Sequence, residues 1–239
     1  MEENDLGLKT FSSAKERGLR ENLTTLAERS PIPSDEILDN LGLFVTSKLL
    51  SRLLFLHHIY LLQVGIHGVI MDFGTRWGQN MAIFNALRGI YEPFNRHRKI
   101  IGFDTFAGFP ETGKYGVTAK YEEFLEEVLS CQEELNPGGH MRKYEIVKGD
   151  VTRTLLPYLS KHQEILVSLA YFDMDLQVPT SYCLNHLLPR MCKGSVIAFD
   201  ELCDETFPGE TEAFLNYFGN KVRARRLPIT SRTSYIILE

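Results

Sequence analysis

The 239-residue sequence predicts an α/β fold with a mostly parallel sheet. Three observations predict it. From Gly68 onward, short apolar runs alternate with longer helical stretches, the rhythm of strands joined by crossover helices. Most of these runs lead into an aspartate, at Asp72, Asp104, Asp173 and Asp200, and another reaches Asp150 after Lys148-Gly149. Ligands of open α/β sheets bind beyond the carboxyl ends of the strands, so recurring acids there point at one crevice. The composition, 44% hydrophobic and 24% charged, excludes general disorder. A chain of this length also buries about 70–75% of its unfolded surface, enough for a sizeable core.

The elements follow in order. Residues 1–34 are polar, with no basic stretch followed by an apolar core, so no signal peptide is expected. A helix over 14–29 is stopped by Ser30-Pro31-Ile32-Pro33, because proline cannot continue a helix and restrains the residue before it. Ser34-Asp35-Glu36 reads as the start of a second helix, with acids in its first turn. Its apolar stripe through Leu43, Phe44, Leu49, Leu50, Leu53 and Leu54 calls for packing on a core or on a second subunit. Lys48, Arg52, His57 and His58 rule this stretch out as a membrane span. Residues 1–67 are thus expected to form a helical lid or homodimerisation segment, and 68–239 the sheet domain.

The expected strands are Val69-Ile70-Met71, Ile100-Ile101-Gly102-Phe103, Tyr144-Glu145-Ile146-Val147, Leu166-Val167-Ser168-Leu169-Ala170-Tyr171-Phe172 and Ser195-Val196-Ile197-Ala198-Phe199. An insertion over 111–143 carries an acidic helix at 118–135, either a lid over a ligand or a solvated face. A helix over 210–218 follows the last run, and β-like pieces at 222–227 and 234–238 are expected to pair as a C-terminal antiparallel hairpin.

Net charge −5, from 26 basic and 31 acidic residues, argues against a nucleic-acid binder. Cys131, Cys183, Cys192 and Cys203 form no CxxC pair and no zinc spacing, as is usual in a reducing cytoplasm, where the protein is expected to reside.

Three strand ends carry chemistry. The first is Asp72-Phe73-Gly74-Thr75-Arg76-Trp77-Gly78-Gln79-Asn80, a strand, a glycine turn and a helix start. Glycines let backbone approach a ligand, and the helix N-terminus offers free N–H groups. The dinucleotide pattern GxGxxG is absent. At the second, Asp104 is placed to accept from a ribose diol, with Thr105 and Phe106 bordering the nucleoside. At the third, Gly149, Asp150 and Val151 are placed for an adenine: the carboxylate for its amino group, the valine for its ring.

This order of strand ends, with Gly102-Phe103-Asp104-Thr105-Phe106-Ala107-Gly108-Phe109-Pro110-Glu111 and Asp173-Met174-Asp175-Leu176 before Pro179-Thr180, resembles class I S-adenosylmethionine-dependent methyltransferases. More narrowly it resembles the macrocin/mycinamicin-type (TylF/MycF/NovP-like) sugar O-methyltransferases. The resemblance implies a Rossmann-like sheet and a hydroxyl acceptor, a sugar or glycosylated metabolite. It also implies a divalent cation, commonly Mg2+, held by Asp173, Asp200 and Glu201, with Asp173 also near the cofactor and Asp175 as general base. A hard cation suits oxygen ligands and lowers the pKa of a bound hydroxyl. The sequence departs from the family pattern at Gln177, at Glu201 and at Gln79. Two other readings stand beside this one: an NAD-dependent oxidoreductase, and a non-catalytic S-adenosylmethionine-binding module. His57 and His58 read as packing residues, while His140 could approach an acceptor.

Overall fold

The computed structural model describes residues 12–109, 116–118 and 120–239. Residues 1–11, read above for a signal peptide, and Pro110 and Glu111 of the distinctive second-strand motif lie outside the described residues. The elements are α1 (Ala14–Glu28), α2 (Ser47–Gln63), β1 (Val69–Phe73), α3 (Gln79–Tyr91), β2 (Ile100–Asp104), α4 (Tyr121–Leu135), β3 (Tyr144–Lys148), α5 (Val151–Lys161), β4 (Val167–Phe172), α6 (Gln177–Leu187), β5 (Val196–Phe199), α7 (Gly209–Tyr217) and β6 (Ser234–Ile237).

The chain divides into two compact units, Met1–Arg52 and Leu53–Glu239. In the first, Ser13 caps α1 by accepting the Glu16 N–H at 3.2 Å. The expected continuous helix from Ser34 does not form. Residues 34–40 are turns, Leu41–Phe44 is a single 3-10 segment, and Val45 is extended with ψ 119°. Helix α2 starts only after Thr46, whose hydroxyl accepts the Leu49 N–H at 3.2 Å. Asn40, Gly42 and β-branched Val45 are poor helix formers, and the Thr46 cap outcompetes continuation through them. No helix among the described residues is long and apolar enough to cross a membrane.

The second unit is a three-layer sandwich around a sheet of order β3-β2-β1-β4-β5-β6. Strands β1 to β5 pair in parallel, and β6 runs antiparallel to β5. The sheet is therefore mostly parallel with an antiparallel C-terminal pair, as expected from the sequence. The partner of β6 differs from the expected hairpin, because residues 222–227 meet it through a single bridge, Arg225 to Tyr235. Three arginines in that stretch and Pro228 just after it suit solvent better than a ladder.

The period-two alternation of the strands sorts side chains to two cores. Met71, Phe73, Ala170 and Ile197 face α5, α6 and α7. Ile70, Leu169, Tyr171 and Val196 face α2, α3 and α4. Phe55, Leu56, Ile59 and Tyr60 of α2, assigned by sequence to the N-terminal segment, are fully buried in that second core. Helix α4 buries Leu125 and Leu129 and is the crossover that parallel pairing of β2 with β3 requires.

Candidate active site

A row of phenylalanines forms the floor of the site. Phe103 stacks on Phe73 with centroids 5.0 Å apart, Phe73 on Phe172 at 5.1 Å, and Phe172 on Phe199 at 5.6 Å. Each pair is also a register pair across β2, β1, β4 and β5. The next residue of each strand therefore emerges at the same level, and these are Asp104, Gly74, Asp173 and Asp200.

Along this edge the sequence-predicted residues are linked in series. The Gly149 N–H donates to the Asp104 carbonyl at 2.8 Å, joining the ends of β3 and β2. Asp104 accepts the Phe106 N–H on Oδ1 at 2.6 Å and the Arg76 N–H on Oδ2 at 2.7 Å. It thereby holds the loops after β1 and β2 together. Gly74 has φ +86°, and a Cβ there would stand 1.8 Å from the Asp173 carbonyl oxygen. Only glycine lets the β1 turn lie against the end of β4. Gly78, at φ +76°, precedes α3, and a Cβ there would collide with Leu125 of α4.

The side chains are placed as follows. Asp72 is fully buried and accepts from Asn80 Nδ2 at 3.0 Å, with Thr75 donating to its carbonyl at 3.2 Å. Asp150 caps α5, its Oδ1 accepting the Thr152 N–H at 2.9 Å and the Thr152 hydroxyl at 2.7 Å. The Thr105 hydroxyl accepts the Ala107 N–H at 3.1 Å within its own loop. Phe73, Phe106 and Val151 are core side chains, so what they offer the crevice is backbone.

The acids at the ends of β4 and β5 meet. Asp175, at φ 62°, stands in the combined field of Asp173, Asp200 and Glu201. Burial pushes its carboxyl up to about 6, with the charges of Asp173 and Asp200 acting the same way. Burial, and then Asp175 beside it, push Glu201 up to about 8. Tyr171 donates to Asp200 Oδ1. Four non-glycine residues with left-handed backbone, Arg76, Phe106, Asp175 and Cys203, lie in the loops after β1, β2, β4 and β5. Such strain persists where surrounding structure enforces it, commonly at functional sites.

Two charged partners escaped the sequence reading. Arg232 Nη1 pairs with Glu201 Oε1 at 2.6 Å and with Asp204 Oδ2 at 3.2 Å. Glu210 of α7 is fully buried beneath the cluster. Neither carries a local signal, since Arg232 lies in a turn and Glu210 reads as an ordinary acidic first-turn residue of a helix.

The donor set suits a hard cation. Its atoms are carboxylate oxygens, its charge is in excess, and Glu201 and Asp175 stand carboxyl against carboxyl, sharing a hydrogen bond where a cation would relieve both. Among the described residues, no three His, Cys, Asp or Glu side chains already stand together as a ready metal cage.

No protein-family model matches the chain, and no curated protein matches it. Among solved structures, CalS11, described as a calicheamicin methyltransferase, is 36% identical with a TM-score of 0.93 over 99% of this chain and 98% of that one. An apo structure of CalS11, described as a TDP-rhamnose 3'-O-methyltransferase in calicheamicin biosynthesis, is 37% identical with a TM-score of 0.89 over 98% and 99%. The O-methyltransferase NovP shares the fold, at 17% identity and a TM-score of 0.59 over 79% of each chain. A Bacillus cereus O-methyltransferase in complex with SAH shares it at 14% and 0.51, over 93% of this chain and 91% of that one.

Proposed function

The chain belongs to the sugar O-methyltransferase family, and from that premise we propose that it methylates a sugar hydroxyl from S-adenosylmethionine with the help of a divalent cation, magnesium first. The family resemblance read from the strand-end motifs is borne out by the full-length match, and the chain is an enzyme with methyltransferase activity. Since one relative is named for TDP-rhamnose, a deoxysugar carried on a nucleoside diphosphate is the first acceptor to try.

The observation that carries the proposal is the junction at Gly74, where the glycine turn lies against Asp173 and so adjoins the acid cluster. A methyl donor held at the turn and an acceptor held at the acids would then be neighbours, and holding two reactants together is a large part of catalysis. S-adenosylmethionine supplies an electrophilic methyl group when bound. In this reading Asp104 accepts from the ribose diol, its backbone partners Arg76 and Phe106 keeping the carboxylate in place. Asp150, fixed by the Thr152 cap, accepts from the adenine amino group, and the Val151 backbone borders the ring. Asp72 and Asn80 brace the turn that carries Gly74 and Gly78. Asp173, Asp200 and Glu201 hold the cation, which supplies Lewis acidity towards a hydroxyl oxygen when bound. Asp175 takes the acceptor proton; its raised carboxyl makes it a better base than an exposed aspartate.

Three measurements test this. Calorimetry should show S-adenosylhomocysteine binding and no NAD binding; the reverse would favour the oxidoreductase. An Asp175→Asn variant should keep cofactor affinity and lose roughly 10²- to 10⁴-fold in kcat. Undiminished turnover there would remove the base. Thorough chelation should abolish transfer and magnesium restore it, whereas indifference to chelation would remove the cation from the proposal.

A further inference from the structure

Glu210 sits in the first turn of α7, with no exposure to solvent. Its two oxygens serve two different loops. Oε1 accepts the Met174 N–H and Oε2 accepts the Glu201 N–H, each at 3.2 Å. Met174 lies between Asp173 and Asp175, and Glu201 follows Asp200. One side chain thus bridges the backbones of both strand ends that bear the acid cluster. The residue before it brings the helix close enough to do so. A Cβ on Gly209 would stand 2.4 Å from the Gln177 nitrogen and 2.5 Å from the Asp175 carbonyl oxygen. Asp175, braced there, keeps its left-handed φ of 62°. A carboxyl buried beneath other acids is a costly choice for stability alone, because burial, with the charges of Asp173, Asp200 and Asp175 acting the same way, pushes it well above the usual carboxylate range. Two amide donors diverging to two loops, however, require two acceptor oxygens on one side chain.

We propose that Glu210 is a positioning residue for methyl transfer. By accepting one amide from each loop it sets the spacing between the Asp173–Asp175 segment and the Asp200–Glu201 segment, so that acids from two strands meet one acceptor hydroxyl. It acts through backbone and touches neither reactant. The inference rests on the methyl-transfer reading above.

The test uses the full chain with Glu210→Gln and Glu210→Asp. Glutamine keeps the size but offers one acceptor oxygen, and its NH2 faces the other amide donor. Aspartate keeps the carboxyl but is a methylene too short to reach both loops. Both variants should lose on the order of 10- to 100-fold in kcat, the scale of a small misplacement of reacting groups. Their Kd for S-adenosylhomocysteine, read by calorimetry, should stay within about twofold of wild type, because Asp72, Asp104 and Asp150 sit at other strand ends. The Tm of Glu210→Gln should fall by only a few degrees, the cost of one buried amide that loses its acceptor.

Wild-type kcat in Glu210→Gln would overturn the inference. So would full activity in Glu210→Asp, which would show that reach to both loops is not required. A joint fall of kcat, cofactor affinity and Tm, or failure of both variants to fold, would assign a structural role and overturn it as well. The wild-type chain separates the two failures. If it transfers no methyl group, the reading of the reaction falls and this inference with it; if it does, the variants alone decide.

Discussion

Asp104 shows how much one residue carries. Both of its oxygens already accept backbone N–H groups, from loops that leave two different strands. The remaining lone pairs are thereby aimed by the fold, and a diol meeting them finds an oriented carboxylate. Replacing it with asparagine puts an NH2 against one of those amides and removes the charge. A hydrogen bond to a charged group is worth about 1.5–3 kcal/mol, so Asp104→Asn should raise the Kd for S-adenosylhomocysteine roughly 10- to 150-fold. A shift under threefold by calorimetry would take the ribose role from Asp104. This residue was legible in the sequence because an acid ending an apolar run is a local pattern. Arg232 and Glu210 were not, because nothing near them in sequence marks the acids they meet in space.

Among the elements, the row of Phe103, Phe73, Phe172 and Phe199 decides where the site lies. Four rings in register across four parallel strands level the strand ends, so the loops above them open on one crevice. Offset-stacked pairs add about 0.5–1.5 kcal/mol each beyond the area they bury. Helix α4 is tied down differently. Glu133 lies buried between Arg88 of α3 and Lys143, the latter at 2.6 Å. Cutting that carboxylate leaves two cations unpaired in the interior, so Glu133→Ala should cost about 3–5 kcal/mol in chemical denaturation. A loss below about 1 kcal/mol would show that α4 is held by Leu125 and Leu129 alone. The strands were legible because each is a short apolar run closed by a turn residue. The long N-terminal helix expected from Ser34 was not, because an apolar stripe says nothing of the Thr46 cap that restarts the helix.

For the whole molecule, the acid cluster couples stability to pH. Asp175 and Glu201 fold with their carboxyls raised, so the native chain holds protons that the unfolded chain has released. The stability this lends is present below the unfolded Glu201 value of 4.5 and is lost as pH rises through about 8. The Tm of the metal-free chain should therefore fall from about pH 5 to 8, more steeply than that of Glu201→Gln, and magnesium should restore it at the upper end. Parallel Tm curves for the two chains would sink this account. The sequence alone decided the α/β architecture, the strand ends and the family, because periodicity, turn residues and motifs act between near neighbours. The tertiary structure decided the charge balance of the site. Glu201, Glu210 and Arg232 are brought to Asp175 only once β4, β5 and β6 lie side by side. The strength of their interaction depends on burial and distance, and neither is written in local spacing.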